Sequence, residues 1–177
     1  DPKKCLAING DWTRHISAED LAERLTPYLK AAGILGADPT PEQSQVIHAA
    51  APLIQERMET LSQGAESLRF LLVDEADFTI TPEDRDKVLT SDARIVLQST
   101  LDAITELPEF DHESIEAALR AALIDGLGLK PKVAFGPVRV AVTGSRISPP
   151  LFESMELLGR ERSTSRITAA LNGISQE

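Results

Sequence analysis

Leu21, Leu25 and Leu29 recur at every fourth position behind Ser17-Ala18-Glu19-Asp20. A hydroxyl cap followed by an i, i+4 apolar stripe predicts a helix, and Gly33 offers it a left-handed stop. Thr40-Pro41-Glu42-Gln43 opens a second helix, with an N-cap, a first-turn proline and a capping-box glutamine. Ile47, Ala51, Ile54, Met58 and Leu61 follow at 4-3-4-3 spacing, one apolar stripe in which Pro52 predicts a kink or a break. A shorter helix is predicted from Ala65 to Leu72. Thr81-Pro82-Glu83-Asp84 opens the next, and a longer one from about Ser91 puts Leu97, Leu101 and Ile104 on its inner face until Pro108 ends it. Asp111 caps a helix with Ile115, Leu119, Ala122 and Leu123 inward, closed by Gly126 and Gly128.

Val138-Arg139-Val140-Ala141-Val142-Thr143 is the ambiguous segment. Its β-branched alternation reads as a strand. Yet Pro137 before it and Gly144 after it suit a helix start and stop, and no second strand stands ready to pair with it. A helix is therefore predicted. Ser148-Pro149-Pro150 is read as the cap of a helix carrying Leu151, Met155 and Leu158, broken by Gly159; a last helix carries Ile167, Leu171 and Ile174. The expected fold is all-α, a compact array of roughly ten helices. The acidic Asp74-Glu75-Ala76-Asp77 before a fresh cap suggests two helical subdomains, 17–78 and 79–177.

Composition narrows the function. Apolar residues make up 42% of the 177, enough for a core, but aromatics only 4%, which argues against a stacking sheet of the kind that binds single strands. No apolar run reaches the roughly 20 residues of a membrane span. Cys5 is the only cysteine, so no internal disulfide can form and a cytoplasmic setting is expected. The net charge of −10 is unevenly distributed: residues 1–125 hold 11 Lys+Arg against 24 Asp+Glu, whereas 126–177 hold 7 against 4. Only the C-terminal block would tolerate a polyanion.

Catalytic constellations are not evident. No GxxxxGK[ST] or GxGxxG phosphate loop occurs, and His15, His48 and His112 lack metal-ligand spacing, so no catalytic residue, metal ligand or cofactor site is assigned. The C-terminal block does hold groups suited to unpaired bases. Arg139 is a planar cation with several donors. Ser148 brings a hydroxyl at a helix N-terminus, and Pro149, Leu151 and Phe152 bring apolar surface. A plainer reading stands beside this one: Leu151 and Phe152 as core, and Ser-Pro-Pro as a cap only.

The stretch from Arg139 through Gly144-Ser145-Arg146-Ile147-Ser148-Pro149-Pro150-Leu151-Phe152-Glu153, followed by Leu157-Leu158-Gly159-Arg160-Glu161-Arg162, closely resembles the anticodon-binding end of bacterial glutamyl-tRNA synthetases. Lys4 to Arg14 resembles the family's segment just after its catalytic half, and Leu53 to Leu61 resembles its earlier helical subdomain. Pro150 and Ser163-Thr164-Ser165 depart from the usual pattern. The resemblance implies that residues 1–16 end a connecting region, that Arg139, Ser148, Pro149 and Leu151 line the pocket for the first two anticodon bases, and that Arg57 helps read the third. The bland alternative for Arg57 is surface pairing with Glu56 or Glu59. The family's two class I ATP-binding signatures, HIGH-type and KMSKS-type, are missing here. The implied role is thus that of a non-catalytic part of a glutamate–tRNA ligase, ATP and Mg belonging to the parent enzyme's catalytic half. The implied partners are tRNA(Glu), by the family's logic also tRNA(Gln), and the catalytic domain of the same chain, in a monomer. RNA binding is expected to be weak and steeply salt-dependent. A helical protein–protein interaction module with an apolar groove is the competing expectation.

Overall fold

Every element described is helical, and the reason lies in how the apolar stripes are capped. The structure, a computed structural model, describes residues 11–175. It divides into two compact units between Asp74 and Glu75.

In the first unit, a helical turn over residues 11–15 leads to α1 (Ala18–Ala31), α2 (Pro41–Ile54), α3 (Leu61–Ser67) and α4 (Arg69–Leu72). Ser17 caps α1 by accepting from the Asp20 amide, and Thr40 and Gln43 complete the capping box of α2. Leu21, Leu25 and Leu29 are fully buried, and Ile47, Ala51, Ile54 and Met58 join them in the core. Gln55 Nε2 donates to the carbonyls of Thr13 and Ile16 at 2.8 and 2.7 Å, tying the first turn to the end of α2. The stripe from Ile47 to Leu61 is divided between two helices, as expected: α2 ends at Ile54, two residues after Pro52, and α3 starts at Leu61. One expectation is corrected. The helix expected over 65–72 starts earlier, behind the Thr60 cap, and is interrupted at Leu68, so two short helices form.

The second unit opens with a 3-10 turn, Glu75–Asp77. It continues through α5 (Pro82–Val88), α6 (Ala93–Thr105), α7 (His112–Leu119), a π-helical stretch (Arg120–Gly126), α8 (Pro131–Thr143), α9 (Leu151–Leu158) and α10 (Arg160–Gly173). α6 packs against α7, α8 and α10, and Leu97, Ile104, Ile115, Leu119, Leu123, Val138, Met155 and Ile167 are fully buried around it. Leu101 is only half-buried. The alternating 138–143 segment is helical, but its helix begins six residues earlier than Pro137, at Pro131. The internal prolines of this fold share one feature. Pro27, Pro52 and Pro137 each deprive the carbonyl four residues back of a donor, and those residues (Glu23, His48 and Val133) are all exposed, so water can take the donor's place.

Arginines close two helix ends. Arg94 donates to the carbonyls of Leu171 and Ile174 at the end of α10. Arg160 donates to those of Ile104, Thr105 and Leu107 at the end of α6. Both satisfy carbonyls that a helix leaves unpaired and place a cation at the negative end of its dipole. Arg166, only 3% exposed, bonds the Glu75 carboxylate and the Val142 carbonyl and stacks 3.7 Å over Phe78.

α8 stops at Gly144, which has φ +82 and lies so close to the 78–79 segment that an added Cβ would stand 2.5 Å from the Thr79 carbonyl oxygen. Gly144→Ala should therefore cost more than the ~1–2 kcal/mol of a left-handed alanine, with backbone displacement added. Thermal unfolding should show a fall of several degrees, whereas Gly128→Ala, with equal handedness but open space, should show a smaller one.

Candidate nucleic-acid interface

The end of α8, the loop 144–150 and the start of α9 bring three of the sequence-predicted residues together. Arg139 Nη1 donates to Ser148 Oγ at 2.5 Å and to the Pro149 carbonyl at 3.0 Å, and Ser148 Oγ–H donates to that same carbonyl at 2.7 Å. Ser148 is not the helix cap expected of it. α9 starts without a side-chain cap, and the hydroxyl is engaged by Arg139 instead. The guanidinium thus fixes the Ser-Pro-Pro turn through donors that lie in its plane.

Pro149 is buried and Leu151 is 3% exposed, both turned into the unit rather than to solvent. Phe152 is half-buried and meets Phe135 edge to face at 5.3 Å between ring centres. Arg57 lies in the other unit, in the turn after α2. Its side chain is exposed and makes no ion pair with Glu56 or Glu59 among the described residues.

A cleft of about 660 Å³ opens beside Arg139, within the 300–1,000 Å³ range of ligand pockets. Its lining includes Lys87, Lys132, Phe135, Gly136, Arg139 and Arg146 around an apolar floor of Val88 and Val96. Sequence reasoning missed four of these contributors. Phe135 could have been found as an aromatic on the same helix as Arg139 in a chain with few aromatics. Arg146 sits inside the quoted motif but was not singled out. Lys87 and Lys132 gave no signal, because lysines on helix faces are usually solvated.

Arg146 is anchored, not free. Its Nε donates to Asp84 Oδ1 at 2.5 Å and its backbone N–H to Asp84 Oδ2 at 2.9 Å, with Glu83 3.6 Å from the guanidinium. The same holds for most of the basic C-terminal block. Arg160 caps α6, Arg162 and Arg166 bond Glu75, and Arg139 holds the 148–149 turn. Lys130 and Lys132 are exposed and carry no ion pair among the described residues. The positive excess of this block is therefore mostly committed to structure, which linear charge counting could not reveal.

The Asp84 carboxyl is held below its ordinary value, first by the Arg146 backbone N–H; burial opposes this, and the Arg146 side chain adds to it. A carboxylate depressed on folding stabilises the fold above its unfolded pKa, and that stability is lost as pH falls through the folded value. Asp84→Asn should therefore melt below the unchanged chain at about pH 6. The gap should start to shrink near pH ~4, the ordinary aspartate range, and should close in stronger acid. Melting curves of both proteins across that range check it.

The family described as Anticodon binding domain matches residues 20–171. A glutamate–tRNA ligase of Saccharopolyspora erythraea is 51% identical over 171 residues, covering 97% of this chain and 34% of its own. One from Acidothermus cellulolyticus is 51% identical over 170, covering 96% and 34%. The chain thus spans about a third of the length of the relatives it matches. A crystal structure of a glutamate tRNA ligase from Elizabethkingia meningosepticum in complex with its amino acid superposes with a TM-score of 0.76 at 19% identity, over 99% of this chain and 33% of that one. That likeness shows the fold.

Proposed function

The chain belongs to the Anticodon binding domain family, and from that premise we propose that its second unit grips unpaired anticodon bases of a tRNA against the Arg139–Ser148–Pro149 turn and the adjoining cleft. The observation that carries the reading is this turn, locked by an arginine whose guanidinium also lines a cleft with a basic rim and an apolar floor. Unpaired bases are read by stacking on planar groups and by hydrogen bonds to their edges, which such a surface supplies. Buried Leu151 and Pro149 act here by shaping the turn, and Phe152 by backing Phe135. In the first unit, exposed Arg57 has its donors available for the third base.

The tRNA we propose is the glutamate tRNA, with the glutamine tRNA as a second substrate of a relaxed enzyme. The larger protein so served is a glutamate–tRNA ligase that acts as a cytoplasmic monomer. Its ATP and Mg chemistry falls to residues outside this chain. The residues present do not fit those groups: the ATP-binding signatures are missing from the sequence, and the described residues hold no acidic or histidine cluster able to bind a metal.

Internal engagement of the arginines lowers the salt dependence expected from the sequence. If roughly two to four phosphates are neutralised, the logarithmic slope should be about −0.7 for each. Binding of the chain to glutamate tRNA should be measured at two salt concentrations, beside the same tRNA with its third anticodon base changed. A modest slope and weaker binding of the changed tRNA are expected. Arg139→Ala should weaken binding by about 1–3 kcal/mol. Binding indifferent to every anticodon base would overturn the anticodon reading, and no binding at low salt would leave either a piece that needs its catalytic half to dock or the helical protein-interaction module.

A further inference from the structure

Asp84 is the one carboxylate buried among the described residues, at 7% exposure, and it stands beside a surface proposed to receive a polyanion. Its position is the third residue of α5, where a carboxylate ordinarily reaches back to the amide of its own N-cap. Here that exchange does not occur. The Thr81 amide donates across to the Gly144 carbonyl at 2.9 Å, and the Asp84 carboxylate accepts from the Arg146 amide and from its guanidinium. The loop after α8 has taken the place of the helix's own cap on both sides of the exchange.

The consequence is mechanical. α5 holds the loop at 144 and 146, and Arg139 holds it at 148 and 149. Between these anchors Ile147 is 89% exposed, so the loop is kept from sinking into the unit and stands proud beside the cleft. We propose that Asp84 is a positioning residue for base recognition: it sets the height and orientation of the 144–149 loop, and through it the turn that Arg139 completes. This rests on the anticodon reading above.

The proposal makes a prediction of unusual sign. Removing a negative charge near an RNA-binding surface should strengthen binding by simple electrostatics. Loss of a positioning residue should weaken it. Asp86 lies two residues along the same helix, is exposed, and makes no ion pair among the described residues, so it provides the matched control. Asp84→Asn and Asp86→Asn remove equal charge, but only the first puts an amide against the Arg146 donors. Binding of each to glutamate tRNA, and to the tRNA with one of its first two anticodon bases changed, is measured at a temperature where circular dichroism shows equal helix content. Asp86→Asn should bind as well as or slightly better than the unchanged chain, with the same discrimination. Asp84→Asn should bind about tenfold more weakly and lose most of its discrimination, with the salt slope unchanged because no phosphate contact is lost.

Thr81→Pro supplies a second, uncharged route. Its φ of −54 suits proline, and the change deletes the amide that holds Gly144 together with a side chain that makes no capping hydrogen bond. It should lower affinity and discrimination in the same way, and it decides the matter if Asp84→Asn does not fold. Variants that bind and discriminate like the unchanged chain, or an Asp84→Asn that tightens in step with Asp86→Asn, would overturn the positioning role. An unchanged chain that ignores the anticodon would instead overturn the underlying reading, and that is seen before any variant is made.

Discussion

A single buried guanidinium decides where the second unit places its loops. Arg166 reaches from α10 into the junction of three segments. It takes the Val142 carbonyl near the end of α8, both oxygens of Glu75, and the face of Phe78. A buried charge is tolerable only when its donors are satisfied and its charge is answered. Those demands pin residues 75–78 against the last turn of α8. The Thr79 carbonyl then lies so near Gly144 that no side chain fits there, and the Thr81 amide meets the Gly144 carbonyl. The loop bearing Arg146 and Ser148 leaves α8 in the direction this contact permits. The geometry of the proposed base-reading turn is thus inherited from a residue that does not line its cleft.

Arginine has a consistent task in this unit: it binds backbone carbonyls and carboxylates that helix ends and turns leave unanswered. Arg94 and Arg160 close helices, Arg139 fixes a turn, and Arg146 from the loop after α8 and Arg166 from α10 each bond an acidic partner from the 75–84 segment. A lysine could not replace the forked contacts of Arg139, Arg160 or Arg166, which need several donors in one plane. The proposed RNA site is thereby compatible with a net charge of −10. In the proposed reading, specificity comes from shaped groups at a few points, and a broad positive field is not required.

Much of the fold was legible because its signals are local. Ser17, Thr40 and Asp111 each cap the helix that the sequence assigned to them. Gly33 and Gly144 both take positive φ where a left-handed stop was expected. One misreading shows that a proline's meaning depends on what lies upstream: Pro137 looked like a helix start because Pro131, the actual first residue, was not weighed. In the candidate site, Arg139 and Ser148 were legible as chemistry, but their bond to one another was not, since it depends on the path of the intervening loop. Asp84 left no trace in the sequence. It reads as an ordinary first-turn acid, and its burial comes from a partner 62 residues away.

The same buried guanidinium limits how the chain can be divided. A piece beginning at the cap of α5 would look self-contained by helix count, with every helix from α5 to α10 retained. It would lack Glu75 and Phe78, and Arg166 would keep its charge in a nearly dry site with only the Val142 carbonyl of these three partners. A stranded buried charge costs on the order of 3–5 kcal/mol, a large share of the stability of a domain this size. The short acidic stretch that precedes α5 is therefore the first structural residue set of the unit, and it is inseparable from the helices that follow it.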